Sequence, residues 1–248
     1  MIHFQAFGPR NSLIPIILVH GLYGSGRNFG SMAKKLAKTR TVLVPDLRNH
    51  GQSPWHESHS YEDLAEDLAE LCTTLDSPAD IMGHSMGGKA AMALALTAPH
   101  HVNRLLVADI APVAYAHSQL EYIHAMKAMD LSAIEKRTDA QLEVSDPMIR
   151  SFLLQNLDVA ERRWRLNLDV LERDMPKILD FPKRDTSFDG DTLFLHGGRS
   201  DYVLPEHRPE IRRLFPKARF AKLPQAGHWI HADEPQKFQA SLEAFFAL

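Results

Sequence analysis

The sequence predicts an α/β fold in which a mostly parallel central sheet carries helices on both faces. Short apolar or β-branched runs recur along the chain, and stretches with helical periodicity lie between most of them. Strands that alternate with helices indicate βαβ units, in which consecutive strands lie parallel. The runs that we interpret as strands are residues 15–19, 41–44, 79–82, 105–108, 192–195 and 218–223.

A capping pattern supports one of the helices. Ser60 stands three residues before Asp63, which is the spacing of a helix capping box. The leucines that follow fall on one helical stripe that would pack on the sheet, and they are Leu64, Leu68, Leu71 and Leu75. We interpret this helix as structural.

The domain organisation follows from where the strand-like runs stop. A chain of 248 residues is long enough for one hydrophobic core. Between the fourth and fifth runs, helical patterns replace strands at 119–136, 148–157 and 161–179. We therefore predict a core formed by residues 1–111 and 182–248, with a helical cap inserted at 112–181. Such a cap would cover the carboxyl edge of the sheet, where open α/β sheets bind ligands.

Charge and composition exclude several classes of partner. The 28 Lys and Arg residues against 31 Asp and Glu give a formal charge of −3, which offers no basic surface for nucleic acid. The first ten residues lack the pattern of a secretory signal, and the run 13–19 is too short to span a bilayer. A lone cysteine, Cys72, favours a reducing compartment. We expect a cytoplasmic protein without stable membrane insertion. The sequence does not indicate whether the protein is a monomer or an oligomer.

Residues 83–87 read Gly-His-Ser-Met-Gly and match the pattern G-x-S-x-G. A strand-like run precedes them and a helix-like stretch follows, which is the context that this nucleophile turn requires. The glycines allow a sharp bend, so that the hydroxyl of Ser85 would be presented at the edge of the sheet as a nucleophile. The same pentapeptide also occurs by chance in packed turns, so other residues must support this interpretation.

Two backbone N–H groups are candidates for an oxyanion hole. The N–H of Met86 would begin the helix after the serine, where the positive end of the helix dipole stabilises a developing negative charge. Leu22 follows His20 and Gly21 at the end of the first buried run, and its N–H is the second candidate. The alternative is that His20 simply caps a strand.

His228 is the candidate general base. It follows Ala226 and Gly227 in a loop after the last strand-like run, from which it could reach Ser85. His231 is the main rival, although no glycine precedes it.

Two aspartates fit the chain order Ser, Asp, His, in which hydrolases with a G-x-S-x-G nucleophile turn carry their catalytic residues. Asp109 ends the run 105–108, just before the predicted cap. Asp201 stands in a Gly-rich loop after the run 192–195, where many hydrolases place their acid. The residue pattern alone leaves both open.

Five segments together resemble the YbfF-type esterases of bacteria and their eukaryotic relatives with the α/β-hydrolase fold. The resemblance covers nearly the full length, and its segments are 20–24, 45–51, 83–88, 109–112 and 226–229. It implies that the acid is Asp109, at the start of Asp-Ile-x-Pro, and that Ser200 assists it. This chain also has Asp201 where relatives often lack a carboxylate, so Asp201 stays the alternative acid.

The residues and the resemblance predict a serine carboxylesterase or thioesterase. Ser85, His228 and Asp109 would form and hydrolyse an acyl-enzyme on a small-molecule ester or thioester with an apolar acyl group. One alternative is another serine-dependent chemistry of the same fold, such as a carbon–carbon bond hydrolase or a perhydrolase. The other is a binding protein that keeps the fold without catalysis.

Neither a metal nor an organic cofactor is expected. His56 and His59 lack the spacing of a zinc-binding helix motif. The Gly-rich stretch 21–30 lacks the Lys and Ser/Thr of a phosphate-binding loop, and Phe29 stands where a dinucleotide fingerprint needs its third glycine.

Overall fold

A seven-stranded sheet forms the centre of the protein, whose computed structural model describes residues 1–247. The strands of these residues, in chain order, are β1 (Phe4–Phe7), β2 (Ile16–Val19), β3 (Val42–Pro45), β4 (Ala79–His84), β5 (Val102–Ala108), β6 (Leu157–Asp158), β7 (Arg163–Trp164), β8 (Asp191–Gly197) and β9 (Ala218–Leu223). The sheet has the order β1-β3-β2-β4-β5-β8-β9. β1 pairs antiparallel with β3, and every other pairing in this sheet is parallel. The predicted fold class is confirmed.

Helices connect these strands. In chain order they are α1 (Gly30–Leu36), α2 (Tyr61–Cys72), α3 (Met86–Thr97), α4 (Leu120–Ala128), α5 (Pro147–Leu154), α6 (Leu168–Arg173), α7 (Met175–Leu179), α8 (Arg208–Leu214), α9 (Ile230–Asp233) and α10 (Pro235–Phe245). Within residues 1–247, none of them is long and apolar enough to cross a membrane.

Both faces of the sheet are covered, because its central strands are apolar on both sides. Successive side chains of a strand point to opposite faces. In β2, Ile16 and Leu18 belong to a buried cluster with α1 and α10, whereas Ile17 and Val19 belong to a second cluster with α2 and α3. The fold therefore has three layers, with one hydrophobic core on each side of the sheet.

The segment between β5 and β8 contains α4 to α7 and the hairpin of β6 and β7. The sequence prediction of helix is wrong at three of the four hairpin residues, which are Leu157, Arg163 and Trp164. Arg162, between the two strands, has a φ of +48°, which a right-handed helix does not allow, and the Asp158 carboxylate accepts from the Arg165 guanidinium at 3.0 and 3.1 Å. The division into a core and a cap with bounds at 112 and 181 stays a prediction.

Two other elements differ from expectation. The sequence pattern does not predict β1, because its residues are half-buried or exposed at the edge of the sheet and form no apolar run. α4 ends at Ala128, whereas the helical pattern continues to residue 136. The chain leaves the helix at Met129, whose ψ of 125° is extended, and the carboxylate of Asp130 then accepts from the N–H of Ser132.

The predicted capping box of α2 is confirmed. The Ser60 hydroxyl accepts from the N–H of Asp63 at 3.2 Å, and the Asp63 carboxylate accepts from the N–H of Ser60 at 3.0 Å. Each side chain thus satisfies a backbone donor at the start of the helix that would otherwise lack an intrahelical acceptor.

Replacing Ser60 with alanine should lower the free energy of unfolding by about 0.5–2 kcal/mol, because the N–H of Asp63 loses its acceptor. Chemical denaturation measures the difference. Ser77→Ala is the control, since the hydrogen bond of the Ser77 hydroxyl within residues 1–247 is to the carbonyl of the next residue, and it should change stability by less than about 0.5 kcal/mol. Equal stability of S60A and the wild type would contradict the role of this cap.

Candidate active site

Ser85 lies in the turn between β4 and α3, and its backbone has φ 53° and ψ −124°. A positive φ is uncommon for a residue with a side chain, and such strain costs of order 1–3 kcal/mol. The surrounding backbone holds the turn. The N–H of Ser85 donates to the carbonyl of Ala108 on β5 at 3.0 Å, and the Ser85 carbonyl accepts from the N–H of Lys89 at 3.0 Å. Ser85 is therefore fixed at the carboxyl end of β4, where it lines a cavity.

Two glycines make this turn sterically feasible. A Cβ on Gly83 would lie 2.3 Å from the carbonyl oxygen of Gly87. A Cβ on Gly87 would lie 2.2 Å from the carbonyl oxygen of His20 and 2.6 Å from that of Val19. Because neither position has a side chain, α3 can begin directly against the ends of β4 and β2.

The structure brings together the three residues that the sequence predicts as a triad. The Nε2 atom of His228 lies 3.0 Å from Oγ of Ser85, and its Nδ1 atom lies 2.8 Å from Oδ2 of Asp109. These residues follow β9, β4 and β5, whose carboxyl ends lie at one edge of the sheet. One imidazole thus bridges a hydroxyl and a carboxylate.

Asp109 is fully buried and directly follows β5. Its Oδ2 accepts from the Ser200 hydroxyl at 2.5 Å as well as from His228, and its Oδ1 accepts from the N–H of Gly197 at 2.8 Å. Three donors therefore satisfy the buried carboxylate. The side chain of Asp201 is exposed, so within the described residues the imidazole contacts Asp109 rather than the alternative acid.

The rival histidine occupies a different position. The ring of His231 packs against the rings of Phe29 and His84, with centroids 5.1 and 4.7 Å apart. Burial and the nearby His228 lower the pKa of His231 to about 4. The contact with the Ser85 hydroxyl is made by His228.

The residues predicted as oxyanion donors belong to the two segments that meet at Ser85. Met86 is the first residue of α3, where backbone N–H groups have no intrahelical acceptor. Leu22 follows Gly21, whose added Cβ would lie only 3.2 Å from the Cβ of Ser85. The loop after β2 therefore approaches the serine closely, and Leu22 and Met86 both line the cavity that contains Ser85.

Two further residues orient His228, and sequence reasoning missed both. The Nε2–H of His84 donates to the carbonyl of His228 at 2.9 Å. The ring of Tyr202 stacks on the imidazole of His228, with centroids 3.8 Å apart and an interplanar angle of 18°. His84 adjoins the nucleophile in sequence and Tyr202 follows the Ser200 loop. These positions were the only available signal.

Residues 45–51, which carry part of the family resemblance, support the loop after β2. The Oδ1 of Asp46 accepts from the N–H of Gly26 at 2.7 Å, and Nε2 of His50 accepts from the N–H of Tyr23 at 3.3 Å. This segment therefore positions the backbone of residues 20–26, the loop after β2 that we call the oxyanion loop.

The cavity that contains Ser85 has a volume of about 920 Å³. The segment between β5 and β8 contributes much of its wall, and the apolar side chains that line it include Ile149, Phe152, Leu153, Ile178 and Leu179. Phe152 packs against Trp229, next to His228, with ring centroids 5.0 Å apart. The nucleophile thus faces a space large enough for an extended apolar group.

The sheet order and the strand–turn–helix at Ser85 place the protein in the class of α/β hydrolases. A family model described as alpha/beta hydrolase fold matches residues 14–235. The chain belongs to this family.

Within the family, the chain is similar to esterases and lipases. Esterase YbfF from Escherichia coli (strain K12) is 36% identical, over 89% of this chain and 88% of that protein. The sn-1-specific diacylglycerol lipase ABHD11 from Mus musculus is 45% identical, over 95% of this chain and 82% of that protein. A solved structure of a marine microorganism esterase superimposes with a TM-score of 0.91 at 37% identity, over 98% of each chain. The resemblance to the YbfF-type esterases is confirmed.

Replacing Gly87 with alanine should lower the free energy of unfolding by about 1–3 kcal/mol, because the new methyl group would overlap the carbonyl of His20. Chemical denaturation again provides the measurement. Gly30→Ala is the matched control, since no atom lies within 4 Å of its added Cβ and its φ of −56° is helical. That variant should gain about 0.5–1 kcal/mol. Wild-type stability in G87A would argue against the close backbone approach.

Proposed function

We propose that this protein hydrolyses carboxylic esters through a serine nucleophile and an acyl-enzyme intermediate. The observation that carries the proposal is the continuous contact from Ser85 through His228 to Asp109, with distances of 3.0 and 2.8 Å. The similarity to named esterases and to a named diacylglycerol lipase supports the same chemistry.

In the first half-reaction, the hydroxyl of Ser85 attacks the ester carbonyl while Nε2 of His228 takes its proton. The imidazolium then donates that proton to the oxygen of the leaving alcohol. In the second half-reaction, a water molecule attacks the acyl-enzyme and the same nitrogen accepts and returns a proton. The carboxylic acid leaves and the Ser85 hydroxyl is restored.

The negative charge of each tetrahedral intermediate develops on the former carbonyl oxygen. The N–H groups of Leu22 and Met86 are the donors that we assign to it, because Met86 directly follows Ser85, Leu22 follows the glycine that approaches Ser85, and both line its cavity. The first turn of α3 adds the positive end of its dipole. These donors are held by the backbone, so they need no rearrangement when the charge forms.

Asp109 acts on the reaction through His228. Its carboxylate accepts from Nδ1–H, which leaves Nε2 free to accept the proton of Ser85, and it stabilises the imidazolium that forms. Ser200 and Gly197 donate to the same carboxylate and hold its two oxygens in place. We assign Ser200 a positioning role, since it contacts Asp109.

The substrate class follows from the walls of the cavity. Apolar side chains from the segment between β5 and β8 line the cavity that contains the nucleophile, so we assign an apolar acyl group to that side.

For the cellular location, we propose the cytoplasm. The buried Cys72 is a free thiol whose pKa burial raises to about 12, which suits an inert cysteine in a reducing compartment.

Replacing Ser85 with alanine should lower kcat by about 10⁴–10⁶-fold, because the substitution removes the hydroxyl that forms the proposed acyl-enzyme. Turnover of aryl esters with short, medium and long acyl chains measures the loss, and acyl-CoA thioesters form a second panel. A fluorophosphonate probe should label the wild type and Ser241→Ala, a half-buried control on α10, but should not label S85A. Labelling of S85A would refute the assignment of the nucleophile, and absence of turnover on both panels would refute ester hydrolysis.

Replacing Asp109 with asparagine should lower kcat by about 10⁴-fold, because the amide can hold His228 in the wrong tautomer. Asp201→Asn is the matched control and should retain activity within about twofold, since its carboxylate is exposed. Kinetics on one aryl ester, with circular dichroism to verify folding, provide the comparison. The opposite ranking would assign the acid to Asp201.

A further inference from the structure

Lys89 is a buried lysine that the proposed mechanism does not use. It lies one helical turn after Ser85 on α3, and only 1% of its surface is exposed. Lysine is rarely buried, because removing an ammonium group from water is costly unless other groups satisfy its donors. The surroundings of its Nζ atom therefore indicate what the residue does.

Three backbone carbonyls surround the ammonium group. Nζ of Lys89 donates to Val113 and Leu179 at 2.9 Å each, and to Asp180 at 2.7 Å. It also lies 4.7 Å from the ring centroid of Tyr115 and 5.7 Å from that of Tyr61, in the range of cation–π contacts. Carbonyl dipoles and aromatic faces thus replace the water around this charge.

The three acceptors come from the two ends of one inserted segment. Val113 lies where the chain leaves β5, and Leu179 and Asp180 lie where it returns towards β8. The two ends also contact each other, since the N–H of Tyr115 donates to the carbonyl of Leu179 at 3.0 Å. A single side chain on α3 therefore joins both ends of the segment.

This arrangement requires the charged form of the lysine. Burial lowers the pKa of Lys89 to about 7, although the negative charge of Asp180 acts in the opposite direction and raises it. The neutral amine has two N–H bonds, however, and only the ammonium group can donate to three carbonyls at once. The contacts at 2.7–2.9 Å are therefore those of an ammonium ion.

We propose that Lys89 is a positioning residue that fixes the inserted segment over Ser85 and thereby sets the selectivity for acyl length. The inference depends on the proposed ester hydrolysis. Tyr115, Ile178 and Leu179, at or beside the two joined ends, line the same cavity as Ser85. Loss of the ammonium group would release both ends together and move that wall, whereas the contacts among Ser85, His228 and Asp109 involve no atom of Lys89.

The test compares Lys89→Met with Lys127→Met. Methionine keeps the apolar stem but removes all three donors, and K127M removes an exposed lysine on α4 that pairs with Asp169 and Glu172.

In K89M, hydrogen exchange of the Tyr115 amide should accelerate at least about tenfold while amides of β5 stay protected. The ratio of kcat/KM between long and short acyl esters should change at least about fivefold, mainly through KM for the long ester. Labelling of Ser85 by a small fluorophosphonate should stay within about threefold, and K127M should match the wild type throughout.

Unchanged exchange of the Tyr115 amide together with an unchanged acyl-length ratio would overturn the proposal. If K89M does not fold, Lys89→Gln decides, because its amide offers two N–H donors. Its Tyr115 amide should exchange at least about threefold faster than the wild type, and equal exchange would overturn the proposal. The exchange experiment needs no substrate, so a protein without esterase activity could still show the predicted release of the segment. Failure of the ester panel in the wild type would identify the separate failure of the proposed function.

Discussion

The close contact between the start of α3 and the ends of β2 and β4 is the constraint on which the rest of the site depends. Gly87 can lie against the carbonyls of Val19 and His20 only because it lacks a side chain. This contact forces Ser85 into its strained conformation and brings the first N–H groups of α3 beside the loop at Gly21. The nucleophile and both candidate oxyanion donors are thus parts of one backbone arrangement, so they cannot move independently of each other.

The parallel register of the sheet places the acid. The N–H of Asp109 continues the ladder by donating to Leu195 on β8 at 2.9 Å, and its carboxylate accepts from Gly197 at the end of the same strand. A fully buried carboxylate needs donors to replace water, and here the backbone, Ser200 and His228 supply them. A carboxylate in an exposed loop could share its hydrogen bonds with solvent, whereas this one is restricted to a single geometry. That restriction holds the imidazole in line with the nucleophile.

The sequence could predict the sheet and the turn because both depend on local patterns. β2, β4 and β5 are apolar runs, and the pattern at Ser85 reflects steric demands within a few residues. Chain order alone did not separate Asp109 from Asp201, because the choice depends on which strand end faces His228, and only the family resemblance favoured the first. Lys89 could not be found in this way. Its partners are backbone carbonyls 24 to 91 residues away, which leave no side-chain signature, and a helical lysine is usually exposed.

Buried histidines form a second layer of support, and their neutrality is part of how they act. Burial lowers the pKa of His20 and holds that of His50 well below its ordinary value, so both rings are neutral near neutral pH. A neutral ring can donate through one nitrogen and accept through the other. His20 contacts the carbonyl of Gly21 through Nδ1 and accepts from the N–H of Leu47 through Nε2, at 2.8 and 2.9 Å. His50 accepts from Tyr23 in the same way. If either ring were protonated, its Nε2 atom could no longer accept a hydrogen bond, and for His50 the N–H of Tyr23 in the loop after β2 would lose its partner. Desolvation keeps both imidazoles neutral and so preserves the loop geometry that the nucleophile needs.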